Sequence, residues 1–118
     1  MDKIQYIGLS EIEKVDQAVV KKIVSEYYPR VQQKLHNDTS LVVHIKQYSK
    51  GGHRPKHSIH LRALAPTRMF ETNKTHEWDI SKSMHHAFDD LLREIEHSFK
   101  EKKGWKNSVR EWLIGRKQ

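Results

Sequence analysis

Residues 41–63 read LVVHIKQYSKGGHRPKHSIHLRA, and this stretch decides the fold. Both of its ends alternate between apolar and polar residues, which is the pattern of a strand with one buried face. The middle, residues 49–56, combines glycine, proline and basic residues and therefore predicts a hairpin loop with a basic tip. The residues expected on the buried face are Leu41, Val43, Ile45, Ile59, Leu61 and Ala63.

The chain before this hairpin predicts a short strand and a long helix. Residues 3–9 alternate and end near Gly8, and Ser10 with Glu13 forms a capping-box pattern. Pro29 lies inside the helical pattern, so we expect a kink or a break there. The predicted apolar stripe, at helical spacing, consists of Ile12, Val15, Val19, Ile23, Tyr27, Val31 and Leu35.

The chain after the hairpin predicts a weaker strand at about residues 69–74, a loop at 75–79 and a second helix. Gly104 is expected to end this helix. The candidate caps at its start are Asp79, Ser81 and Ser83. Its apolar stripe consists of Met84, Phe88, Leu91, Ile95 and Phe99.

These elements predict an α+β fold in the order β-α-β-β-β-α. We expect a mostly antiparallel four-stranded sheet with two helices packed on one face, plus a short C-terminal tail. Residues 1–103 should form a single domain that binds RNA on the ribosome, and residues 104–118 a basic tail that contains Trp105 and Trp112. A protein partner or a second copy bound through this tail is left open.

The composition favours a polyanionic partner. The net charge is +7, and residues 39–70 contain six basic residues and no acidic one. No apolar run approaches the length of a membrane span, and we expect no secretion signal. Cysteine is absent, which is compatible with the cytoplasm, where we expect the protein. The candidate RNA-binding residues are Lys46, Lys50, Arg54, Lys56, His60, Arg62, Arg68, Lys74, Lys82, Lys100, Lys102 and Lys103.

Histidines and acidic residues invite a metal or catalytic interpretation, which the spacing disfavours. His57 and His60 should point to opposite faces of one strand, and His85 and His86 diverge on a helix. No thiolate is available, and no known catalytic motif occurs. We therefore expect no metal site, no cofactor and no enzymatic activity.

The last helix carries a family resemblance. Met84-His85-His86-Ala87-Phe88-Asp89-Asp90-Leu91-Leu92-Arg93-Glu94-Ile95-Glu96, followed by basic residues, resembles the final helix of the short ribosome hibernation-promoting factors, also called ribosomal subunit interface proteins. Met84, Ala87 and Asp89 match the family pattern directly. The resemblance implies binding in the small ribosomal subunit, over the decoding region, and stalled translation in resting cells.

The chain departs from that family at several positions. Ser83 stands where the family has aspartate, His85 where it has tyrosine, and His97-Ser98 where it has an arginine–glutamine pair. The predicted connection from the last hairpin to this helix is also longer than usual.

Two other functions are compatible with the sequence. A double-stranded-RNA-binding module shares the α-β-β-β-α order. A protein-interaction adaptor would instead use Trp105 and Trp112 as anchors in a partner's groove, whereas a tail that merely covers the core would need no partner.

Overall fold

The structure, a computed structural model, describes residues 3–36, 38–48, 56–66 and 68–115, with only the backbone described for residues 73–77 and 100–115. A short 3-10 turn, Leu9–Glu11, separates the first strand from the first helix. The elements are, in chain order, β1 (Lys3–Ile7), α1 (Lys14–Leu35), β2 (Ser40–Tyr48), β3 (Lys56–Ala65), β4 (Arg68–Glu77) and α2 (Ile80–Gly115).

The strands form one sheet in the order β1-β2-β3-β4. β1 runs parallel to β2, while the β2–β3 and β3–β4 pairs are antiparallel. The mostly antiparallel α+β fold is therefore confirmed. The alternation on β2 and β3 is confirmed as well, because the six residues expected on the buried face are all at most 1% exposed.

Both helices cover the same face of the sheet. The buried side chains of α1 and α2 join those of the sheet in one apolar core, in which Val24, Phe88 and Leu91 are fully buried. The hydroxyl of Tyr28 on α1 donates a hydrogen bond to the carbonyl of Thr39 and accepts one from the backbone N–H of Lys3. These bonds fix α1 against the starts of β1 and β2.

Two predictions about α1, its cap and the start of its buried stripe, are wrong, and of the two alternatives predicted at Pro29 the break does not occur. Ser10 lies in the 3-10 turn, and α1 begins only at Lys14, after an N-cap residue, Glu13, that makes no side-chain capping bond. Val15 is 73% exposed, because the buried stripe starts later, at Val20. The helix is not broken at Pro29 but continues to its end.

The strand and helix after the hairpin are longer than predicted. β4 continues to Glu77, so the predicted loop at residues 75–79 and the long connection are wrong. A register shift between Ile59 and Leu61 places an extra residue in β4, which disturbs its alternation. α2 passes through Gly104, since one interior glycine costs a long helix only about 1 kcal/mol. Asp79 is its cap, accepting hydrogen bonds from the N–H groups of Ser81 and Lys82.

Candidate nucleic-acid interface

The face of the sheet opposite the helices is not covered by any described element, and we call it the open face. Its side chains alternate along each strand with the buried ones, so it follows directly from the sequence pattern. The register brings Val42 opposite Arg62, His44 opposite His60, and Lys46 opposite Ser58. Ile7 on β1 and Glu71 on β4 flank these pairs. Tyr48 and Lys56 stand opposite each other at the hairpin end.

The centre of the open face is a shallow pocket of about 100 Å³. The rings of His44 and His60 stand nearly parallel beside it, with an angle of 14° between them and 6.4 Å between their centroids. Nε2 of His60 is buried, and among the described residues it has no hydrogen-bond partner. The residues that line the pocket are Ile7, Val42, His44, His60 and Arg62.

An ion pair orients Arg62 beside this pocket. Its Nε donates a hydrogen bond of 2.7 Å to Oε1 of Glu71 on the neighbouring strand. The Arg62 side chain stays 45% exposed. Nε takes the contact with Glu71, and the two terminal nitrogens of the guanidinium, which have no partner among the described residues, can meet an anionic ligand.

The hairpin end of the open face combines cations with aromatic rings. Nζ of Lys56 lies 4.9 Å from the centroid of the Trp78 ring, and Trp78 is 45% exposed. Tyr48, opposite Lys56, is 51% exposed. Exposed aromatic rings beside lysines are the arrangement on which unpaired bases stack.

The structure brings together four of the predicted RNA-binding residues, namely Lys46, Lys56, His60 and Arg62, on the open face. The others are placed elsewhere or remain predictions. Lys50 and Arg54 lie outside the described residues. Lys74, Lys100, Lys102 and Lys103, together with Trp105 and Trp112, lie in β4 or α2 at positions where only the backbone is described.

Arg68 and Lys82 lie on the helix side of the sheet rather than on the open face. Arg68 donates a hydrogen bond of 2.7 Å to the hydroxyl of Ser98 on α2 and lies against the rings of Phe70 and Phe99. Lys82 is exposed in the first turn of α2. Arg68 therefore links β4 to α2, and the predicted cations do not form a single patch.

Sequence reasoning missed His44, Ile7 and Trp78. His44 could have been found, since the series Val42-His44-Lys46 and Ser58-His60-Arg62 have the same alternation and a hairpin brings them together. Ile7 joins the site because β1 pairs in parallel with β2, and no local sequence pattern encodes that pairing. Trp78 lies just beyond β4, where the register shift had already disturbed the pattern.

A second polar cluster joins the two helices. The hydroxyl of Tyr27 donates a hydrogen bond to Asp89 and lies 3.0 Å from Nδ1 of His85. Its ring stacks on Phe88, and the guanidinium of Arg30 lies 4.7 Å from its centroid. Burial, reinforced by the bond to Asp89, raises the pKa of Tyr27 above its ordinary value. The cluster therefore holds a neutral phenol that connects α1 to α2.

Comparisons with known proteins give a fold and no sequence family. A scan against protein-family models found no match, and a search of curated proteins found none either. Among solved structures, the N-terminal domain of Protein Y from Thermus thermophilus superposes on this chain with a TM-score of 0.54 and 17% sequence identity. The superposition covers 82% of this chain and 98% of that domain. The chain therefore shares the fold of that domain.

Proposed function

We propose that this protein associates with the ribosome and binds ribosomal RNA of the small subunit through the open face, acting as a hibernation factor that inhibits translation. The observation that carries the proposal is the shared fold, which extends over nearly the whole Protein Y domain. Protein Y is a ribosome-associated protein of the hibernation-promoting factor family. The motif in the last helix, residues 84–96, resembles the same family.

The motif residues support the fold more than they support binding. Met84 and Ala87 are fully buried, so their match reflects the core of the domain. Asp89 is exposed and accepts a hydrogen bond from the hydroxyl of Tyr27, and this contact joins the two helices. Residues that contact RNA must lie on a surface, and the open face is the surface whose chemistry suits RNA.

The charge of the open face supports a phosphate ligand. Lys46 and Lys56 are exposed, and Arg62 is held in place by Glu71. Each phosphate that such a cation neutralises releases counterions, which makes binding favourable and dependent on salt. The proposal assigns the chain a binding role without catalysis, and it places the protein in the cytoplasm with the ribosomes. In the part of the chain that the structure describes, neither helix is both long and apolar enough to cross a membrane.

Sedimentation of the purified protein with separated ribosomal subunits tests this function. We expect the wild-type chain to sediment with the small subunit at low salt and the variant K46E/K56E to remain in the supernatant. The matched control is K21E/K22E, which reverses the same charge on two exposed lysines of α1, on the helix side of the sheet.

Two outcomes would contradict the proposal in different ways. Absence of the wild-type protein from the small-subunit fraction at low salt would contradict the proposed ribosomal function. Loss of sedimentation in K21E/K22E, with retention in K46E/K56E, would move the interface from the open face to the helices.

A double-stranded RNA ligand is the second candidate, and one observation favours it. The segment from α1 to α2 has the α-β-β-β-α order, with both helices on one face of an antiparallel sheet, which is the order of double-stranded-RNA-binding modules. Competition separates the two candidates. A generic 20-base-pair RNA duplex should displace the protein from small subunits only weakly, whereas equal displacement by duplex and by free subunits would favour the second candidate.

A further inference from the structure

We propose that the pocket at the centre of the open face binds one unpaired nucleobase of single-stranded RNA. This inference rests on the proposed function and narrows it, since it names the kind of RNA segment that the open face recognises. Three features of the pocket carry it: its size, its rings and its charged surroundings.

The size of the pocket fits a single planar ring system. Its volume is about 100 Å³, whereas pockets for cofactors and drug-sized ligands have roughly 300–1,000 Å³. Val42, half-buried, and Ile7, 41% exposed, supply apolar surface beside the two imidazoles. A flat heteroaromatic ring is therefore a better occupant than an extended cofactor.

The two histidine rings supply stacking and a hydrogen-bonding group. His44 and His60 lie at 14° to each other, so they present nearly parallel ring edges and faces to the pocket. Histidine is one of the side chains on which unpaired RNA bases stack. The buried Nε2 of His60, which lacks a partner among the described residues, donates or accepts according to its tautomer. The edge of a base offers both donors and acceptors and so completes this contact.

The charges around the pocket distinguish a nucleotide from an apolar peptide. Arg62 lines the pocket, and its contact with Glu71 through Nε aligns the guanidinium, whose terminal nitrogens have no partner among the described residues and can bind a phosphate. Lys46, exposed, follows His44 by two positions on the same face of β2. An apolar and aromatic centre with cations at its border matches a base attached to its phosphates.

Fluorescence anisotropy with two labelled hexamers tests the inference on the full chain. One is single-stranded hexaadenylate RNA, and the other is a ribose-phosphate hexamer of equal charge that lacks bases. We expect the wild-type protein to bind hexaadenylate about 10-fold more tightly, because stacking of one base has an effect of this order. H44A/H60A should bind both hexamers equally, while the control H86A/H97A, which removes two exposed imidazoles from α2, should keep the wild-type preference.

A measurement on the wild-type protein avoids any folding defect of the variants. Addition of adenosine monophosphate should shift the methyl NMR signals of Ile7 and Val42 and leave that of Val15, on α1, unchanged. Shifts that are equal at all three residues, or absent at the pocket, would overturn the inference. So would equal affinity of the wild-type protein for the two hexamers.

The hexamers and the ribosomal subunits give independent answers. Equal binding of the two hexamers, together with normal sedimentation on small subunits, would contradict base binding in the pocket and leave the ribosomal function supported. A 10-fold preference for hexaadenylate, combined with no sedimentation on small subunits, would support base binding in the pocket and contradict the ribosomal function.

Discussion

At the scale of the residue, His57 is a polar side chain buried on the side of β3 that faces the core. It is 4% exposed, and neither ring nitrogen has a hydrogen-bond partner among the described residues. A buried polar group without a partner destabilises the folded state. We expect H57L to raise the free energy of unfolding by about 1 kcal/mol, measured by urea denaturation.

The control for this substitution is Q33L, on an exposed position of α1. Its free energy of unfolding should stay within about 0.5 kcal/mol of the wild-type value. A lower stability of H57L would show that the imidazole makes a favourable interaction in the folded protein.

Gly8 has a backbone conformation and a close contact that no other amino acid can adopt at this position without strain. Its φ of +82° lies in the left-handed region, and a Cβ there would overlap the carbonyl oxygen of Ile45. We expect G8A to lower the free energy of unfolding by about 2 kcal/mol or more, from backbone strain combined with this overlap. Chemical denaturation measures the change.

The turn next to Gly8 offers the matched control. Ser10 is exposed and does not cap α1, so S10A should change the free energy of unfolding by less than about 0.5 kcal/mol. A decrease of about 1 kcal/mol in the free energy of unfolding of S10A would instead indicate that Ser10 has the capping role predicted from the sequence.

At the scale of the elements, the contact between α1 and α2 should make the free energy of unfolding decrease at alkaline pH. The pKa of Tyr27 is raised in the folded protein, chiefly by burial and then by Asp89. The phenol therefore ionises more readily in the unfolded chain. Its contribution is present in full below the unfolded pKa of about 10 and is lost as the pH rises through the folded pKa.

The variant Y27F isolates this effect. At pH 8 it should be less stable than wild type by about 1 kcal/mol, because it loses the hydrogen bonds to His85 and Asp89. Between pH 9 and pH 11 the difference in unfolding free energy between the two proteins should shrink. A difference that stays constant over this range would contradict the role of Tyr27.

The elements could be predicted from sequence wherever one face of a regular element is buried. β2 and β3 alternate without interruption. In the predicted stripe of α2, Met84, Phe88, Leu91 and Ile95 are fully buried as expected, whereas Phe99 is 37% exposed, so its predicted burial is wrong. Prediction failed where tertiary structure overrides a local signal. Ser10 resembles a cap but lies in a turn, and β4 loses its period at the register shift.

The candidate site was predictable only in part, for a related reason. Lys46, His60 and Arg62 could be assigned to one face from the alternation of their own strands. The pocket needs Ile7 from a strand that is distant in sequence, and the pairing of β1 with β2 is a long-range property of the fold. The sequence of β4 does not assign Arg68 to a face, and its contact with Ser98 on α2 is what places it on the helix side.

At the scale of the whole molecule, the domain should fold without residues 104–118. Within the described residues, the sheet and the two helices up to Ile95 share one continuous buried core. Because this core already joins every element from β1 to α2, we expect deletion of residues 104–118 to change the free energy of unfolding by less than about 1 kcal/mol, by urea denaturation. A large loss would show that the tail covers the core, whereas unchanged stability with loss of one protein partner would support an anchoring role of Trp105 and Trp112.

Phosphate contacts made by Lys46 and Lys56 should make ribosome binding depend on salt. The affinity for small subunits should fall steeply between 50 and 200 mM salt, as for other proteins that neutralise several phosphates. For the milder variant K46A/K56A the slope of log affinity against log salt should be smaller by about 1 to 2 than for K21A/K22A, since two phosphate contacts are lost. Equal slopes for both variants would contradict a role of Lys46 and Lys56 in phosphate contact.

Photocrosslinking tests most directly whether the open face contacts ribosomal RNA. Azidophenylalanine replaces Tyr48, which is 51% exposed at the hairpin end of the open face, or Val15, which is 73% exposed on α1. With purified small subunits, irradiation should crosslink the protein to ribosomal RNA from position 48 and not from position 15. Crosslinks from position 15 alone, or from neither position, would contradict the account.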